Sequence, residues 1–109
     1  MPSVNIYTIE KNTLALESIL SELKEFVAKK LSCQDRILKG HEISIRIIVP
    51  AAQSSIAETE IIIAAHSYPE RVQNQDNICL AIKHFLVSHF PSLKSVYVWL
   101  QLSELGHSE

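Results

Sequence analysis

The sequence predicts an α+β fold, a duplicated βαβ unit (βαββαβ) that builds a four-stranded mixed sheet with two helices on one face. Three observations carry this expectation. Four short runs have strand length and strand-like apolar patterning. Two longer runs repeat apolar residues at three- and four-residue steps. Along the chain they fall in the order strand, helix, strand, and then the same again.

The first strand is read from Val4, Ile6 and Thr8 alternating with Asn5, Tyr7 and Ile9. The first helix follows, marked by Leu16, Ile19, Leu20, Leu23, Phe26, Val27 and Leu31, with Asn12 or Thr13 as its N-cap. "SCQDRILKGHE" is a loop, and "EISIRIIVP" is a second strand stopped by Pro50. "AAQSSIAE" is a polar connection to a third strand, "TEIIIAAH". Ser67 and Glu70 have capping-box spacing, and Pro69 suits a first helical turn, where its missing N–H costs nothing. Val72, Ile78, Cys79, Ile82, Phe85, Leu86 and Phe90 mark the second helix, which Pro91 ends. "SVYVWLQL" is the fourth strand.

Neither half has enough apolar surface for its own core, so residues 1–109 are expected to form one domain. Right-handed crossovers then set both helices on one face of the sheet. The halves, 2–50 and 59–103, also align in detail. Shifted by 59 positions, Ile19, Leu23, Phe26, Val27 and Leu31 fall on Ile78, Ile82, Phe85, Leu86 and Phe90. "SIRIIV" falls on "SVYVWL", which makes Arg46 and Tyr97 equivalent under a pseudo-twofold axis.

Composition excludes several classes. A net charge of −2 and a pI near 6.2 lack the basic stripe of a nucleic-acid binder. No uncharged apolar run spans a bilayer, and no basic segment followed by an apolar one reads as a leader, so a cytoplasmic setting is expected. Two glycines, Gly40 and Gly106, cannot build a phosphate-cradling loop. Cys33 and Cys79 form no CxxC, and His41, His66, His84, His89 and His107 show no ligand spacing, so no metal and no cofactor are expected. Ser54 and Ser55 lack the setting of a hydrolase nucleophile. A 47% hydrophobic content with mean hydropathy +0.12 is high for so small a domain and points to apolar surface buried between subunits.

The chain opens Met1-Pro2 and runs straight into its first strand. That start, with a duplicated βαβ unit of this size, resembles the tautomerase superfamily (macrophage migration inhibitory factor-like and 5-carboxymethyl-2-hydroxymuconate isomerase-like). The resemblance spans nearly the whole chain through "ILSELKEFVAKKL", "ISIRIIVP", "SVYVWLQL" and "AIKHFLVSHF". It implies a cofactor-free tautomerase or isomerase of a small keto/enol carboxylic acid, with Pro2 as general base once Met1 is removed. It also implies a homotrimer whose sites lie at subunit boundaries, with substrate-binding roles for Arg46 and Tyr97. Trp99, next but one to Tyr97, and the loop cations Arg36 and Lys39 complete the candidate set.

A proline amine serves as a base only if it stays partly neutral, which burial and nearby positive charge promote. The pattern also departs from the family. The family's pocket lysine falls at Cys33, a strand asparagine falls at Trp99, and a first-loop arginine falls near Asn12, with Lys11 beside it.

Each candidate has a simpler role beside the chemical one. Arg46 can pair with Glu60 across the sheet or a subunit interface, Tyr97 and Trp99 can be interface packing on the sheet face away from the helices, and Arg36 and Lys39 can be solvated loop charges. The competing reading of the whole chain is a non-catalytic, oligomeric βαββαβ module that binds a small ligand or a partner.

Overall fold

The computed structural model describes residues 2–51, 57–93 and 95–104. Four strands, β1 (Ser3–Tyr7), β2 (Ser44–Ile48), β3 (Thr59–His66) and β4 (Val96–Ser103), form one sheet in the order β2-β1-β3-β4. The outer pairs β1–β2 and β3–β4 are parallel and the central pair β1–β3 is antiparallel, so the sheet is mixed, as expected. Four helical segments follow the expected order: α1 (Thr13–Glu17), α2 (Leu20–Leu31), α3 (Pro69–Gln73) and α4 (Gln75–His89).

Period-two alternation sorts each strand between two faces. Val4 and Ile6 of β1, Thr8 just after it, and Thr59, Ile61, Ile63 and Ala65 along β3 are buried beneath the helices. Val96 and Leu100 of β4 join them. From above, Leu23, Val27 and Leu31 of α2 and Ile78, Ile82 and Leu86 of α4 close the same core. Phe26 and Phe85 stack between the two helices with centroids 4.4 Å apart. Each fully buried aliphatic side chain contributes about 1.5–3 kcal/mol. The polar members of the layer are paired, since the hydroxyls of Thr8 and Thr59 lie 2.9 Å apart and bond across the sheet.

The expected helices are each interrupted, for a shared reason. At Ser18 the hydroxyl bonds the Ala15 carbonyl at 2.6 Å, and the chain turns through Ile19 before α2 begins. At Asn74 the side-chain amide donates to the Glu70 carbonyl at 2.9 Å between α3 and α4. Short polar side chains compete with the helical ladder for backbone carbonyls.

Two capping expectations are corrected as well. Asn12 makes no cap bond; its amide instead donates to the Thr8 hydroxyl (3.0 Å) and to Glu58 (2.9 Å). The Ser67–Glu70 capping box does not form. Tyr68 occupies the N-cap position without a side-chain bond, and Glu70 accepts the Gln34 N–H at 3.1 Å. Pro69 does open its helix. Val72, expected on the buried stripe, is exposed because α3 ends before α4 begins.

The expected loop over 32–42 contains a short bridge, Cys33 with Arg36, and a 3-10 turn at Gly40–Glu42. Most of the polar connection, Ser54 and Ser55 included, lies outside the described residues, as do Met1 and His107.

Candidate active site

Pro2 precedes the first residue of a central strand and is buried. A residue at this position need not donate to the ladder, so proline fits the strand start. Its carbonyl accepts the Ser44 N–H at 3.2 Å, which ties it to the start of β2. Carried one residue back from Ser3↔Ala64, the β1–β3 register sets Pro2 beside Ala65. Alternation gives its ring the same side as Val4 and Ile6. Ile43, just before β2, and Ala65 are both buried, so this end of the sheet is apolar. Such surroundings disfavour the charged form of an amine.

The other sequence candidates do not gather around Pro2 within one chain. Arg46 pairs in register with Asn5 and is exposed on the face away from the helices. Three residues along β1 separate that row from Pro2, roughly 10 Å at strand rise. Asn5, Ile62 and Trp99 continue the same row across the sheet. Tyr97 lies farther from Pro2, in the row of Tyr7 and Glu60. Trp99 and Tyr97 remain 48% and 41% exposed, on the face expected for them.

The intramolecular Arg46–Glu60 pair does not form. The register separates the two residues by a row, and Glu60 accepts the Trp99 indole N–H at 3.0 Å. Arg36 is held by Glu42 at 2.6 Å, and Lys39 donates its backbone N–H to the same carboxylate at 3.2 Å. These loop cations flank the start of β2, the strand tied to Pro2.

One residue that sequence reasoning missed stands out at this end of the molecule. Arg71 of α3 is only 3% exposed. Its Nε donates to the Leu31 carbonyl at 2.8 Å, where α2 ends. Its Nη1 donates to the His66 carbonyl at 2.9 Å, where β3 ends. The guanidinium also lies 4.8 Å from the Tyr68 ring centroid. Burial lowers its pKa from the ordinary arginine value, with the thiol of Cys33 and the phenol of Tyr68 opposing the shift and Arg36 adding to it. Cys33, at which the sequence departs from the family's pocket lysine, is buried. A sequence signal for Arg71 did exist: stepping seven residues back from Ile78 along the apolar stripe lands on Arg71, not Val72.

Two cavities adjoin these elements. A groove of about 650 Å³ runs between α4 and the edge strand β4, with Cys79, Leu80, Tyr97 and Trp99 among its walls. A smaller cavity of about 220 Å³ lies between the end of α2 and the α3–α4 corner and is lined in part by Cys33 and Arg71. Among the described residues, no His, Cys, Asp and Glu cluster has the form of a metal site. No described helix is long and apolar enough to cross a membrane.

No protein-family model and no curated protein matches the sequence. Solved structures do match, across nearly the whole chain and at low identity. A protein of unknown function from Vibrio cholerae O1 biovar eltor is similar with a TM-score of 0.72 and 14% identity, over 99% of this chain and 83% of that one. A fused 4-OT symmetric trimer has a TM-score of 0.66 and 15% identity, over 98% and 92%. A macrophage migration inhibitory factor-like protein from Entamoeba histolytica has a TM-score of 0.63 and 10% identity, over 99% and 96%. The mixed four-stranded sheet and the helices packed on one of its faces thus give this chain an α+β fold of the tautomerase-like kind.

Proposed function

We propose that this protein is a cofactor-free tautomerase or isomerase that moves a proton within a small keto/enol carboxylic acid, with Pro2 as the general base. The observation that supports it most is the burial of Pro2 at the start of the central strand in this fold. With Met1 removed, Pro2 is a secondary amine in an apolar setting. Held partly neutral, that nitrogen takes a proton from one atom of the substrate, the enol oxygen in ketonisation or the carbon next to the carbonyl in the reverse direction, and returns it to another. A cation near the developing enolate lowers the barrier.

The proposed working form is a cytoplasmic homotrimer. A symmetric trimer is named among the similar structures, the fused 4-OT protein. The uncovered sheet face of this chain carries Trp99 and Tyr97, and the buried Oδ1 of Asn5 there has no hydrogen-bond partner. A neighbouring copy would cover that face. It would also supply Arg46 to the substrate carboxylate, and Tyr97 and Trp99 as pocket walls, to a Pro2 they cannot reach within one chain. Arg36 and Lys39, beside the start of β2, are the remaining cations proposed to face the carboxylate.

The test has two parts. Intact mass of the protein from cells should lack Met1. Ketonisation of phenylenolpyruvate or 2-hydroxymuconate should then drop about 10²–10⁴-fold in Pro2→Ala, the usual worth of a general base. Equal rates in the two proteins would overturn the reading. They would favour the second one, a non-catalytic oligomeric module that binds a small ligand or partner. The observation behind that alternative is the buried Cys33 at the position of the family's pocket lysine.

A further inference from the structure

Among the described residues, Arg71 is a buried cation without a carboxylate in ion-pair contact. The ion pairs among the described residues are Arg36–Glu42 and His89–Glu22, and neither involves it. Two of its nitrogens serve backbone carbonyls, which explains why the side chain is held at the junction of α2, β3 and α3. The third does not fit that structural role. Nη2 is buried and has no hydrogen-bond partner. An unsatisfied donor on a charged group is costly enough to call for a partner.

The 220 Å³ cavity lined by Arg71 shows what kind of partner fits. It is the size of a small oxyanion with some water. Lys30 and Asn77 also line it, with the Lys30 ammonium 5.5 Å from the Phe26 ring centroid. Glu70 also lines it, and its Oε1 is occupied by the Gln34 N–H at 3.1 Å. Arg71 and Lys30 against Glu70 leave one net positive charge at the walls. Pro2 is not among the lining residues, and the proton-transfer reading assigns Arg71 no role.

We propose that this cavity binds a small oxyanion, a carboxylate or a phosphate, which accepts a hydrogen bond from Nη2 of Arg71. A planar guanidinium with a free N–H suits either acceptor. Bound there, the anion neutralises the buried charge and links the end of α2 to the α3–α4 corner.

The experiment is a titration of the full-length protein, in chloride-free buffer, with inorganic phosphate in one arm and acetate in the other. Calorimetry reads affinity, and nitrogen-15 NMR of the arginine side chains reads the partner. Binding in at least one arm, with a shift confined to the Arg71 guanidinium signals, is expected, and the arm that responds names the anion. Asn77→Asp adds a carboxylate at an exposed wall position without touching the Arg71–carbonyl bonds. It should weaken binding about tenfold, a difference of ~1.4 kcal/mol, with an unchanged circular dichroism spectrum. Pro2→Ala should bind as the wild type does, which separates this result from that of the tautomerase assay. Silence of the Arg71 signals in both arms would leave Nη2 to water and overturn the proposal. Binding that Asn77→Asp does not weaken would overturn it too, as non-specific.

Discussion

At the scale of single residues, Arg71 holds the most consequence. It ties the last carbonyl of α2 to the last carbonyl of β3, so its loss opens the end of the molecule where Pro2 sits. Hydrogen bonds to a charged group are each worth about 1.5–3 kcal/mol. Arg71→Gln is therefore expected to lower unfolding stability by roughly 3 kcal/mol, read as a shift of the urea midpoint at unchanged slope. Arg71→Lys keeps the charge and one donor direction and should recover part of that loss. A midpoint for Arg71→Gln equal to that of the wild type would show that the two carbonyl bonds add nothing to folding. Pro2 matters for the opposite reason: it makes few bonds, and its interest lies in a nitrogen placed in apolar surroundings.

At the scale of elements, the apolar periodicities located every strand and both helical regions, and "TEIIIAAH" coincides with β3 from Thr59 to His66. What they could not show were the breaks. A hydrophobic stripe reports which face is buried, and that face continues across Ser18 and Asn74 although the backbone ladder does not. Caps were also misread from spacing. Asn12 has a competing long-range partner in Glu58, 46 residues away in sequence, and Glu70 has one in the backbone of Gln34. Since Ser67 makes no cap bond, Ser67→Ala should change stability by less than about 0.5 kcal/mol, the range of an ordinary surface substitution. A working cap would cost about 1 kcal/mol. Thermal unfolding of the two proteins side by side distinguishes these values.

At the scale of the whole molecule, the sheet has one face under helices and another that the described part of the chain leaves half-exposed. The second face carries Arg46, Trp99 and Tyr97, and it looks away from the side on which Pro2 is buried. Under the trimeric reading proposed above, Trp99→Asp should shift the protein toward monomer in sedimentation equilibrium. It should lower tautomerase activity in parallel, because the pocket would be shared between copies. Full activity in a monomeric Trp99→Asp protein would show that one chain suffices.

The sequence by itself determined the α+β order, the buried faces of strands and helices, the placing of Tyr97 and Trp99 away from the helices, and the resemblance to the tautomerase superfamily. Those properties are local, set by side-chain period and by residues close together in the chain. Only the tertiary structure decided that Arg46 misses Glu60 within one chain, that Arg36 is taken by Glu42, and that Arg71, which the stripe did place among the buried positions, keeps one nitrogen idle. The first depends on strand register, the second on the fold of one loop and the third on carbonyls supplied by distant elements, and charge along the chain carries no record of these.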